Sequence, residues 1–207
     1  NLLKAVFTVS GMTLASRVTG LVRESLKAAV FGAGASMDAF EAAFRLPNLL
    51  RRLFAEGAFS QAFVPILAEY RRTRGHDETR DLVSRMATLM AVVLLAVTAL
   101  GILAAPWLVY LLAGAFAREP GKVALTTDLL RVVFPYILFI SLTSLAGGVL
   151  NVHRRFAIPA FTPVLLNVCF IVFGLWLTPY FDPPVKALAW AVFCGGIAQL
   201  AFQLPFL

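Results

Sequence analysis

The run SRVTGLVRESLKAAVFGAGASMDAFEAAFRLPNLLRRLFAE, residues 16–56, decides the fold. It sets Arg17, Arg23, Glu24, Lys27, Asp38, Glu41, Arg45, Arg51, Arg52 and Glu56 among apolar residues that otherwise read as the first two membrane-spanning helices. Each charge near a bilayer centre costs about 2.5–3.5 kcal/mol on insertion scales, so these groups persist only where they face one another, a partner bundle or a water-filled cavity. The stretch therefore reads as the wall of a polar cavity that handles an anionic substrate, with the rest of the chain as scaffold.

Composition supports the membrane setting. The 207 residues are 60% hydrophobic and 14% charged, with a mean hydropathy of +0.84. Soluble domains run at roughly 45–50% apolar and about 25% charged, which excludes that class. Crossing the hydrocarbon takes about 20 apolar residues of helix, and the chain holds several such runs, whereas the alternation over about 10 residues that marks a barrel strand is missing. The expectation is an all-α integral membrane protein. Its net charge of +7 does not indicate nucleic acid, because the basic residues are spread among apolar spans. Cys169 and Cys194 lie in apolar segments without metal-ligand spacing and read as packing residues; neither metal nor cofactor is expected. Lys4 precedes an apolar run that continues past Arg17 without a cleavage site, so the start reads as a retained helix rather than a signal peptide.

Six spans are predicted, at 3–31, 36–70, 82–112, 122–150, 157–180 and 185–207. In the first, Ser10, Thr13, Ser16, Arg17, Gly20, Arg23, Glu24 and Lys27 fall within an arc of about 140° on a helical wheel, a polar face that lipid would not tolerate. The second is expected to break at Pro47 and Gly57, with Asp38, Glu41, Arg45, Asn48, Arg52 and Glu56 on one face and Arg52 and Glu56 at ion-pair spacing. Residues 71–85 read as a solvated basic loop, and Gly147-Gly148 as a point of close helix approach. Lys4, Arg71, Arg72, Arg74, Arg80, Arg85, Arg154 and Arg155 fall on one side of the spans against Arg118, Lys122 and Lys186 on the other. The positive-inside rule then puts both ends of the segment in the cytoplasm.

No catalytic chemistry emerges. His76 and His153 sit in basic connections away from any nucleophile or carboxylate arrangement, so an enzyme is not expected. Arginine stays protonated and offers a planar donor fork suited to phosphate, which makes Arg17, Arg23 and Arg51 candidates to hold a pyrophosphate. The alternative is that they pair with Glu24, Asp38, Glu41 and Glu56 to knit the bundle. From 17 to 56, six basic residues face four acidic ones, and the surplus of two favours a bound anion. Lys27, Arg45 and Arg131 read as side chains that snorkel to an interface.

The runs SRVTGLVR at 16–23, FGAG at 31–34, DAF at 38–40 and above all RLPNLLRRLFAEGAFSQAFVP at 45–65 closely resemble the MurJ (MviN-type) lipid II flippases. Phe134-Pro135-Tyr136, Asn151, Pro159-Ala160 and Pro183-Pro184 look like the same family, and the likeness covers essentially the whole chain. The resemblance implies membership of the multidrug/oligosaccharidyl-lipid/polysaccharide exporter superfamily. It also implies a two-lobe transporter of which this six-helix bundle is the amino-terminal lobe, lacking its carboxy-terminal partner lobe. The implied site is the bacterial inner membrane. The implied partners are membrane lipid and lipid II, the undecaprenyl-pyrophosphate-linked peptidoglycan precursor, moved between leaflets by alternating access. On that resemblance Arg17, Arg23 and Arg51 are the candidate substrate-binding residues, and Asp38 and Glu56 the candidate gating or charge-pairing residues; from the charged stretch itself Arg52 is added to the first set and Glu24 to the second. Two rival functions are a drug or metabolite antiporter of the same superfamily, whose cavity should favour carboxylates, and a non-transporting membrane scaffold.

Overall fold

The computed structural model describes residues 2–53 and 58–207. Among the described residues every regular element is helical: α1 (Leu2–Phe31), α2 (Ala35–Arg51), α3 (Ala58–Arg74), α4 (His76–Leu103), α5 (Ala105–Leu112), α6 (Pro120–Val133), α7 (Tyr136–Val152), α8 (Ala157–Val172) and α9 (Lys186–Gln203). A π turn at Phe173–Leu177 and a 3-10 turn at Thr178–Tyr180 extend α8. Among the described residues, four helical stretches are long and apolar enough to cross a membrane: His76–Leu103, Gly121–Val152, Ala157–Tyr180 and Lys186–Phe206. The architecture is that of an all-α membrane bundle.

Proline and glycine punctuate these rods, though not always where expected. Pro47 is buried inside α2, and the helix runs through it to Arg51, so the anticipated break at Pro47 does not occur. A proline costs one backbone hydrogen bond, a loss that a helix packed among neighbours can absorb. Gly57, the other anticipated break, lies outside the described residues. Interruptions fall instead at Ala104, just before the proline in the first turn of α5, and at Phe134-Pro135 between α6 and α7. At the first of these, the Arg131 guanidinium reaches back to the Ile102 carbonyl at 3.4 Å.

The expected loop at 71–85 is also corrected. α3 continues to Arg74 and α4 begins at His76, so the connection is Gly75 alone, with φ of +85°. Glycine enters that region without a Cβ clash. The charges that suggested a loop sit where helix dipoles favour them, with Arg71, Arg72 and Arg74 in the last turn of α3 and Asp77 and Glu78 in the first turn of α4.

At the centre α8 packs on α9; α1 lies on α8, α2 on α6, and α7 on α9, with α3 and α4 against the far side of α7. Leu129, Leu130, Val133, Tyr136 and Ile137 meet Leu188, Ala191 and Val192 of α9 and Phe40 of α2 in the core. α4 turns Leu89, Val92, Leu95, Leu100 and Leu103 outward, an apolar surface suited to lipid. Inside, Ser141, Thr143, Ser144 and Thr162 each bond the carbonyl one turn back, which lets hydroxyls sit in an apolar bundle without stranded protons.

Contacts between rods are set by small residues. A Cβ on Gly148 would stand 3.3 Å from Phe63, the close approach expected there. Tighter still are Gly196, where it would stand 2.8 Å from Tyr136, and Gly101, where it would overlap the Phe134 ring. Gly101→Val in the full-length protein should therefore force α4 off the α6–α7 junction and cost about 1–3 kcal/mol. Thermal denaturation in detergent measures this, with Gly114→Ala, which meets nothing within 4 Å, as the unaffected control.

Candidate functional site

The polar stripe of α1 arises from helical spacing. Ser16, Gly20, Arg23 and Lys27 recur at intervals of three and four residues and share one side of the rod. That side meets α2, α7, α8 and α9 around a cavity of about 570 Å³. Its charged lining residues are Arg23, Glu24, Lys27, Glu41 and Arg52; its neutral polar ones include Asn48, Thr143, Ser144, Asn151, Thr162, Asn167, Gln199 and Gln203.

Lys27 is the hub of the charged part. The residue is only 8% exposed, and its Nζ lies 3.1 Å from Glu24 Oε2 and 2.7 Å from Glu41 Oε1, joining α1 to α2. Glu24 uses its other oxygen on Arg23, accepting from Nη2 at 2.6 Å and Nε at 3.0 Å. Arg23 Nη1 in turn donates to Asn167 Oδ1 of α8 at 3.0 Å. Asn167, 5% exposed, is itself fixed, because its amide donates to the Ser16 carbonyl and the Thr19 hydroxyl, both at 3.1 Å. Beneath the network, Phe40, Phe44 and Phe170 form an aromatic floor, with the Arg23 guanidinium 5.2 Å from the Phe170 ring centre and Lys27 Nζ 5.8 Å from that of Phe40. The rings attract the cations and exclude water from one side of them.

This arrangement leaves Arg23 with donors to spare. A guanidinium carries five N–H groups, and three are engaged by Glu24 and Asn167. The other two have no partner among the described residues, and the guanidinium stands at the cavity wall. Chemically, the site can present a preorganised pair of charge-assisted donors to an anion.

The residues singled out in the sequence are distributed unevenly. Arg23, Glu24 and Arg52 line the cavity; Arg52 makes no ion pair among the described residues. Arg17 is exposed on α1 and is not part of the lining. Asp38 stands apart, its carboxylate 3.1 Å from Lys122 Nζ of α6, and that lysine caps the Phe116 ring at 4.0 Å. The Arg51 side chain and Glu56 lie outside the described residues, and with them the Arg52–Glu56 pair. Within the described lining, three cations face two carboxylates, a surplus of one rather than two, because Arg17 and Arg45 look elsewhere and Asp38 is matched from α6. Lys27, read as snorkelling, is instead buried. Asn167, Gln199 and Gln203 carried no signal in the sequence, since an amide in an apolar span has no charge to balance.

The described residues thus form a helical membrane bundle with an ionised cavity between its rods. The family model described as lipid II flippase MurJ matches residues 27–207. The chain belongs to this family. It is similar to the lipid II flippase MurJ of Burkholderia cenocepacia, 54% identical over 99% of this chain and 40% of that protein. A probable lipid II flippase MurJ of Vibrio cholerae is 47% identical over 100% of this chain and 41% of its own length. A solved structure of a lipid II flippase MurJ in an inward closed conformation superposes with a TM-score of 0.81 at 28% identity, over 95% of this chain and 41% of that one. The chain thus spans about 40% of the length of the curated relatives it matches.

Removing the hub should loosen the α1–α2 contact. Lys27→Met leaves Glu24 and Glu41 without their shared cation, and because each of those side chains is 52% exposed, water recovers part of the loss. A destabilisation of about 1.5–3 kcal/mol follows, largely restored by Lys27→Arg; thermal unfolding of the full-length protein reads both.

Proposed function

We propose that the protein containing this lobe flips lipid II across the bacterial inner membrane, and that the cavity described above holds the pyrophosphate of that lipid. The observation that carries the reading is the Arg23 guanidinium, clamped by Glu24 and Asn167 on the wall of a cavity whose described charged lining has a cationic surplus. Family membership and the names of its relatives support the choice of lipid. A cavity for cationic drugs would instead gather carboxylates.

In this mechanism Arg23, with Arg52 and the other cations of α1 and α2, attracts the pyrophosphate while the lipid tail stays in the bilayer. Glu24 and Glu41 occupy the same cations when substrate is absent. Exchange of carboxylate for pyrophosphate then changes which helices are tied together, and a ligand that binds one state better shifts the population towards it. The opposite lobe supplies the surface against which this one rocks, with both ends of the present segment on the cytoplasmic side. Charges that move with the lobe sense the membrane potential at about 2.3 kcal/mol per charge per 100 mV.

Arg23→Ala in the full-length protein should abolish lipid II translocation while expression and membrane insertion persist. Arg23→Lys keeps the charge without the planar fork and should retain only a minor fraction of the activity. Wild-type translocation by Arg23→Ala would refute the role of this arginine.

A further inference from the structure

Beside the ionised network, the same cavity has a wall of different chemistry. Along α8, Thr162 lies five residues before Asn167, roughly 7.5 Å along the helix axis. There α9 presents Gln199 and Gln203, which are 3% and 1% exposed. Gln203 Nε2 donates to Thr162 Oγ1 at 2.8 Å, and Thr162 has already given its own proton to the Ile158 carbonyl at 2.9 Å. That hydroxyl can only accept from Gln203, so the orientation of the amide is determined and its Oε1 points away from Thr162. Oε1 is buried and has no hydrogen-bond partner among the described residues. Gly147 keeps the space beside it open, since a Cβ there would stand 3.7 Å from Oε1.

Neighbouring groups on this wall have the same bias. Thr143 and Ser144 of α7 line the cavity and donate their protons to the carbonyls of Phe139 and Ile140. Their oxygens keep lone pairs and no proton. Gln199 is engaged at both ends, accepting from the Tyr136 hydroxyl at 3.2 Å and donating to the Thr162 carbonyl at 3.3 Å. Thr143 and Ser144 therefore offer acceptors whose donors are already used, and Gln203 an acceptor oxygen whose amide is oriented by the one N–H it gives to Thr162. A pyrophosphate, which has only acceptors, gains nothing from these oxygens. A buried acceptor without a donor is unfavourable, and a ligand that carries O–H or N–H groups relieves it.

We propose that this wall of α7, α8 and α9 is a second subsite, which binds the uncharged hydroxyl- and amide-bearing headgroup of the substrate while the Arg23 network takes its pyrophosphate. The proposal rests on the reading of the cavity as a lipid-pyrophosphate site. The two subsites divide one ligand by hydrogen-bond polarity: donors on the protein for the anion, acceptors for the glycan or peptide part.

The test compares binding of lipid II and of bare undecaprenyl pyrophosphate to the full-length protein. Gln203→Leu and Ser144→Ala should each weaken lipid II about 3- to 10-fold and leave undecaprenyl pyrophosphate unchanged. A peptide-free lipid-linked glycan assigns the source, since loss of its affinity as well points to sugar hydroxyls and loss confined to lipid II points to peptide amides. Variants with unchanged thermal stability that bind lipid II as the wild type does, or that lose both lipids equally, would overturn the subsite. If Gln203→Leu fails to fold, Ser144→Ala decides alone. Arg23→Ala separates this outcome from failure of the underlying reading, because undecaprenyl pyrophosphate binding that survives that change removes the pyrophosphate site and leaves the Gln203 comparison intact.

Discussion

An ionised side chain buried in an apolar bundle must be matched where it stands, because little solvent reaches it to screen it. Lys27 shows what that constraint builds. Its ammonium is shared by two carboxylates from different helices, and one of those carboxylates is shared in turn with Arg23. The chain of contacts ends on Asn167, which a backbone carbonyl and a hydroxyl of α1 hold in place. One lysine thus ties α1 to α2, and one asparagine ties α1 to α8, so the geometry of the cavity wall is a by-product of charge neutralisation. The same network that stabilises the lobe also aims the guanidinium.

The rest of the packing obeys a second consequence of the apolar setting. Between helices in lipid the hydrophobic effect offers little, so association depends on close van der Waals contact and on satisfied polar groups. Glycines at 101, 195 and 196 bring rods together, and the hydroxyls of α6, α7 and α8 bond backward along their own helices. Phe40, Phe44 and Phe170 fill the space under the cations. The lining of the cavity is polar, with Thr143 and Ser144 bonded within their own helix and Asn167, Gln199 and Gln203 bonded across to neighbouring ones.

Much of this was legible in advance, and the exceptions are physically instructive. The helical class followed from long apolar runs, and the inward face of α1 from spacing alone. Pro47 looked like a breaker because a lost hydrogen bond is visible in sequence, whereas the packing that tolerates it is not. The charged run at 71–85 looked like a loop because composition records polarity but not its alignment with helix dipoles. Lys27 looked able to reach an interface, yet its ammonium is taken by Glu24 and Glu41. Asp38 looked like a rival for the arginines until α6 brought Lys122 to it across 84 positions of sequence.

Taken alone, the sequence determined that this is a membrane-embedded helical lobe with charges gathered on its first two helices, since composition and periodicity are local properties of the chain. The family resemblance was carried by motifs of the same local kind. Tertiary structure decided which charges meet. It placed Arg23, Glu24, Lys27 and Glu41 in one network, sent Asp38 to another, and set Gln199 and Gln203 opposite Thr162. Those outcomes depend on the angles and contacts between helices, which arise from packing over the whole bundle and leave no mark on any single stretch of sequence.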